Sequence, residues 1–177
     1  MLRKCYQLLH SPAPPKPVQH PSPPIILGGT GKKRTPVLAA RYAHEFNLPT
    51  SRRRAPVAQD WLNSEGHDVA DQIHLVRAAA EAIGRNPAEI VFSMSAAIGV
   101  GHTRDQAAAA LDPTNFRSQT FDGTALCGSP AQIVDQFGPY AGLGITRVYV
   151  RAPTRIETLA GNFELLAADV LPQLAGM

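Results

Sequence analysis

Apolar residues along this chain alternate between short continuous runs and longer stretches in which they recur every three or four positions. The first run, residues 24–27 within "PIILGG", reads as a strand that stops at glycines. A helix is expected over 36–45, with Thr35 as N-cap and Pro36 at the first helical position, where its missing N–H costs nothing. A short strand is expected at 46–48. Residues 49–67 are polar and carry Arg52, Arg53 and Arg54 in succession, so a long loop is expected there. Beyond it Val69, Ile73, Val76, Ala80 and Ile83 recur at i, i+4, i+7, i+11 and i+14, one apolar helix face that Gly84 ends.

The stretch "IVFSMSAAIGVG", 90–101, is apolar on both faces, as a strand of a covered parallel sheet should be. An alanine-rich helix over 104–111 and an irregular stretch to Gly128 follow. Ser129, Pro130 and Gln132 occupy the N-cap, N1 and N3 positions of a capping box, and Ile133, Phe137 and Tyr140 form the buried face of the helix they open. "ITRVYVRA", 145–152, is the last strand, and the final helix buries Leu159, Phe163, Leu166 and Val170. Four successive β/α units argue for an α/β fold with parallel strands and right-handed crossovers. The proline-dense "SPAPPKPVQHPSPP", 11–24, is an extended lead-in ahead of them.

Composition narrows the function classes. The 177 residues suit one domain, and 44% hydrophobic with 18% charged residues is a globular balance. Net charge is +3 and the basic residues form only small groups with few aromatics between them, so nucleic acid is not an expected partner. Cys5 and Cys127 make neither a disulfide framework nor a metal pattern, and a reducing, cytoplasmic setting is expected. No run approaches the roughly 20 apolar residues of a membrane span, and "MLRKCYQLLH" lacks the apolar core of a secretory signal.

The stretch most suggestive of ligand chemistry is "ILGGTGKKRT", 26–35. It is not the P-loop G-x-x-x-x-G-K-[ST], because Ile26 stands at the first glycine position and Lys33 at the hydroxyl position. A glycine turn running from a strand into a helix nevertheless brings backbone N–H groups and a helix N-terminus to one place, where an anion is favoured. Lys32, Lys33 and Arg34 add charge and Thr35 a hydroxyl; the alternative is a tight turn with solvated lysines. His44 reads as a helix-end histidine, His67 and His74 lack a third metal ligand, and Cys127 reads as a small buried residue.

The segment "PPKPVQHPSPPIILGGTGKKRTPVLAARYAHEFNLP" resembles the middle of the luciferase-like flavin and deazaflavin oxidoreductases. There too a proline-rich lead, a strand with a glycine turn and "RTLRLAARYADxWN"-like residues follow in order. "GRNPAEI" and "GSPAQIVDQFGPYAGLGITRVYV" are similar to that family at matching places. Agreement spans most of residues 6–173, with its weakest parts at 49–67 and 112–123, and the nearer likeness is to members that use coenzyme F-420. His44 and Phe46 stand where the family has aspartate and tryptophan, whereas Asn47 matches.

The resemblance implies a (β/α)8 TIM barrel of about 250 residues, of which this chain carries the C-terminal half, about four β/α units over 25–177 behind the 1–24 lead-in. It implies that Gly28, Gly29, Thr30, Gly31, Arg34 and Thr35, with Asn47, hold the phosphate of coenzyme F-420 (deazaflavin), with FMN as the alternative and no metal. The implied activity is that of an oxidoreductase or monooxygenase acting on a small-molecule substrate. No catalytic residue is assigned, because the family places its catalytic groups in the other half. Arg147 and Arg151 are candidates for the cleft mouth, and Arg52, Arg53 and Arg54 for the cofactor's acidic tail, against a solvated loop. Expected partners are a second copy of the chain (a homo-oligomer) or the N-terminal barrel half. A non-catalytic fragment that self-associates and a phosphate-ligand module serving another chain remain the alternatives.

Overall fold

A computed structural model describes residues 14–29, 31–48, 61–111, 124–151 and 156–175. Five strands, β1 (Ile26–Gly28), β2 (Glu45–Leu48), β3 (Val91–Val100), β4 (Thr124–Gly128) and β5 (Ile145–Arg151), form one sheet in which every pairing is parallel. β1 pairs β2, and β2 pairs the first half of β3. Ala96 and Ala97 pair with both β4 and β5, and Phe92 to Met94 with both β2 and β5. A strand has two edges, so β2 and β4 lie end to end along one edge of β3, and β5 holds the other. The sheet is therefore an arc four strands wide, β1-β2-β3-β5, with β4 extending the β2 position.

Three of these strands depart from the sequence reading, β2 by taking in Glu45, which was expected to end the helix before it. β1 begins two residues later than expected, and residues 14–25, exposed throughout, form no helix or strand. β4 falls within the stretch expected to be irregular; it is held by its ladder to Ala96–Val100 rather than by a readable pattern. Residues 112–123, 49–60 and Thr30 lie outside the described residues, as do Cys5 and Arg52, Arg53 and Arg54.

Helices α1 (Arg34–Tyr42), α2 (Trp61–Ala82), α3 (Arg104–Ala110), α4 (Pro130–Gly142) and α5 (Ile156–Leu165) alternate with the strands, and α5 runs through a π turn (Leu166–Val170) into α6 (Leu171–Leu174). α1 starts earlier than expected: Lys33 is its N-cap and makes no side-chain cap bond, so Thr35 and Pro36 fall at the second and third helical positions. α2 takes in residues 61–67, which a polar composition had placed in a loop. Its buried face is the expected one, Val69, Ile73, Val76 and Ala80, but Ile83 lies past the helix end and is exposed, followed by Gly84 at φ +73°. α4 opens with the capping box in full, Ser129 Oγ accepting from the Gln132 N–H and Gln132 Oε1 from the Ser129 N–H, and buries Ile133, Phe137 and Tyr140.

The core lies between the sheet and these helices. Phe46 meets Phe92 edge to face, and both belong to the row of β2 and β3 side chains, with Leu48 and Met94, that is buried under the helices. Arg77 of α2 lies 5.2 Å over the Phe92 ring and reaches the Leu143 carbonyl, in space that Gly144, at φ +87°, leaves open.

Along α5 and the π turn the buried positions among the described residues are Asn162, Leu166 and Val170, while Phe163, expected in the core, is exposed and the side chain of Leu159 lies outside the described residues. Steps of four drift around an α-helix, and the wider π turn at 166–170 brings Val170 back to the same face. Asn162 has a specific task. β5 pairs β3 only as far as Ala97, and beyond it Asn162 Oδ1 accepts from the Val100 N–H while Nδ2 donates to the Ile98 carbonyl, both at 2.8 Å. One side-chain amide thus stands in for the next residues of a neighbouring strand.

Candidate functional site

β1 ends in the glycine turn at the C-terminal end of the sheet, the end at which barrel enzymes build their sites. Gly28 pairs with Asn47, and a Cβ on it would lie 2.9 Å from the Asn47 carbonyl oxygen. Gly29 sits at φ +146°, a conformation that disfavours any side chain. A Cβ on Gly31 would lie 2.5 Å from Thr35 Oγ1, so the turn folds directly over the threonine hydroxyl in the first turn of α1. That first turn contains no acidic residue, and no side chain caps it. Arg34 is the first residue of the helix and is exposed, as are Lys32 and Lys33. Backbone donors, a hydroxyl and three cations without a carboxylate are the donor set an anion needs. The structure thus brings together Gly28, Gly29, Gly31, Arg34 and Thr35; Thr30 lies outside the described residues.

Asn47 stands beside Gly28 in register, but its side chain turns to the sheet: Nδ2 donates to Ser93 Oγ at 2.9 Å. This bond opens a network that sequence reasoning missed. On the sheet face opposite Phe46 and Phe92, the register aligns Glu45, Asn47, Ser93, Ser95, Arg147 and Tyr149. Glu45 is only 3% exposed. Its carboxylate accepts from Tyr149 Oη at 2.8 Å, from the Arg147 guanidinium and from the Ser93 hydroxyl. Burial by itself would raise the Glu45 pKa, yet the hydrogen bonds from Ser93 and Tyr149 and the Arg147 charge outweigh it and hold the group below its ordinary value. Arg147 is pushed up in turn, by its hydrogen bond with Tyr149 and by the Glu45 charge. Arg147 is thus paired with Glu45 at the start of β2, its own side chain half exposed.

The sequence did hold a signal for this face: residues 45–48 and 145–151 alternate polar with apolar, although Glu45 reads as a helix end until β2 is seen to begin with it. His44 is placed structurally, its Nδ1 accepting from the Ile25 N–H at 3.0 Å. Cys127, expected to be buried, is exposed. Enough protein still surrounds its sulfur to raise the thiol pKa by desolvation, against the opposing charge of Arg104, which argues against a nucleophile. Among the described residues no group of three or more His, Cys, Asp or Glu side chains is placed to hold a metal, and no helix is long and apolar enough to cross a membrane.

No family model and no curated protein matches the chain. Its fold does match solved structures. Long-chain alkane monooxygenase (LadA) superposes with a TM-score of 0.63 at 17% identity over 88% of this chain and 41% of its own. The coenzyme F-420-dependent tetrahydromethanopterin reductase of Methanopyrus kandleri gives 0.61 at 15% identity over 84% and 50%. Monooxygenase RslO1 from Streptomyces bottropensis gives 0.61 at 22% identity over 88% and 50%. The chain spans from 41% to 50% of the length of these three proteins. In fold, its parallel β/α arc corresponds to the C-terminal half of a (β/α)8 barrel.

Proposed function

We infer that this chain supplies the cofactor-phosphate half of an oxidoreductase that uses coenzyme F-420 or, alternatively, FMN. The observation that carries the reading is the uncapped start of α1 behind a glycine turn that closes on Thr35. In this reading the phosphate lies against the backbone N–H groups of the turn and of the first residues of α1, with the Thr35 hydroxyl donating to it and Arg34 supplying charge. Pro36 costs the site nothing but one donor. Asn47 supports Gly28 through the sheet and fixes the neighbouring strand through Ser93. A bound deazaflavin would supply hydride transfer at its C5, and FMN oxygen chemistry, while the protein positions the ring and keeps water out. The substrate is a small molecule read by groups outside this half, and a cytoplasmic setting suits the two cysteines.

The test is a fluorescence titration of the folded chain with F-420 and, separately, FMN, run beside Arg34→Ala. Saturable binding that weakens in the variant is expected, and the tighter ligand names the cofactor. A folded chain that binds neither, or binds equally well without Arg34, would overturn the assignment.

A further inference from the structure

The arc has two free ends, and the exposed large apolar residues gather there. Ile25, Ile26, Val37, Leu38 and Tyr42 are exposed in and around β1 and α1. Tyr149, Phe163 and Leu171 are exposed in β5 and the helical segment after it. Apart from these, the exposed large hydrophobics among the described residues are Val18 in the lead-in and Ile83 after α2. Along the arc β1 pairs only with β2 and β5 only with β3, so among the described residues each end also presents an open strand edge. Open edges beside apolar side chains are the usual sites of strand addition.

We propose that the occupant of both ends is a second copy of this chain, and that two copies close into an eight-stranded parallel barrel. Three observations favour this partner. The arc is four strands wide, half of eight. Every pairing is parallel, so a two-fold axis along the strands sets β1 of one copy beside and parallel to β5 of the other, twice, covering the outer edges of both strands. The inward face is also electrostatically self-sufficient: each Glu45 already has its own Arg147 and Tyr149, so closure brings in no acid that lacks a partner. The inference rests on the fold alone, and it adds one consequence to the cofactor reading: the closed barrel carries two glycine turns.

Sedimentation equilibrium of the chain at micromolar concentration tests it. A particle of twice the 19.0 kDa chain mass is expected. Leu38→Lys at one end and Leu171→Glu at the other are exposed substitutions that leave a lone subunit's fold intact, yet each should weaken association by about tenfold or more. Each junction joins one end to the other, so mixing the two variants should restore dimers, with one junction carrying the opposite charges and the other unaltered. Tyr42→Arg provides a second variant at the first end. A folded monomer would overturn the proposal. So would a dimer sensitive at one end only, which would mean like ends meeting, or a mass that keeps growing with concentration, which would mean an open chain.

Discussion

Replacing Asn162 tests whether a single amide closes the edge of β3. The side chain is 4% exposed and bonds two main-chain groups whose own residues, Ile98 and Val100, are 2% and 3% exposed. Removing it orphans one buried N–H and one buried carbonyl, at about 1–3 kcal/mol each if water cannot replace the amide. A cavity of about 570 Å³ borders Val100, Gly101 and Asn162, so water can enter beside a truncated side chain. Asn162→Ala should therefore cost about 2 kcal/mol, near the lower end of that sum. Asn162→Leu fills the same space with apolar atoms and keeps water out, so it should cost about 3–4 kcal/mol. The order, Leu worse than Ala, reverses what apolar burial would give. Urea unfolding at one fixed protein concentration measures both, with association held constant across the variants. Two variants of equal stability, or a leucine variant milder than the alanine one, would show that Asn162 is not pairing the strand edge.

Two further outcomes follow from the sheet's inner face and from its C-terminal end. Glu45 has a folded pKa below its ordinary value, so its stabilisation is complete above the unfolded carboxylate pKa of about 4.3 and is lost as pH falls through the folded value. Glu45→Gln should lower stability by about 1–2 kcal/mol at pH 7 and flatten the acid limb of a stability–pH profile; a variant with an unchanged acid limb would remove Glu45 from that account. Gly99→Ala would place a Cβ 2.2 Å from the Ala107 carbonyl oxygen and 2.7 Å from Leu111 Cγ, so α3 must shift. A cost of about 2–3 kcal/mol in the same urea assay is expected, and a neutral result would mean that α3 does not pack on β3 as described.

Legibility in the sequence followed the kind of force involved. The capping box at Ser129 and the buried face of α4 were readable because both depend on residues within one helix. The stripe on α2 was readable for the same reason, although its start was hidden in the seven mostly polar residues of its first two turns. β4 was not, because the strand is specified by backbone pairing with Ala96–Val100, which leaves no side-chain period. Phe163 was misread because polar Asn162, which drew no reading, holds the core position by serving main-chain groups of β3, and the aromatic beside it turns outward. The glycine turn was visible as a candidate, but its relation to Thr35 was not, since Thr35 read as an N-cap until the helix proved to begin at Arg34. Glu45 was invisible as a site residue for a related reason, because the boundary between α1 and β2 decides whether it ends a helix or enters the sheet.

The two faces of the arc carry different burdens, and this decides which properties need a partner. On the helix side Phe46, Leu48, Met94, Val76 and Ile133 are essentially sealed within one chain, so the hydrophobic contribution to folding is largely complete before any association. On the inner side polar groups are satisfied by one another: Asn47 by Ser93, and Glu45 by Ser93, Arg147 and Tyr149. That network tolerates water, since the Arg147 side chain is 52% exposed while Glu45 is covered. The glycine turn depends on neighbours within twenty residues, Thr35 in the following helix and Asn47 in the adjacent strand. In the proposed reading, anion binding at the turn would depend on the half-barrel itself, whereas excluding water from a cofactor ring would require the arc to close. A charge that breaks association at Leu38 should leave phosphate affinity nearly unchanged, and loss of both together would mean that the turn is built by the junction and not by the chain.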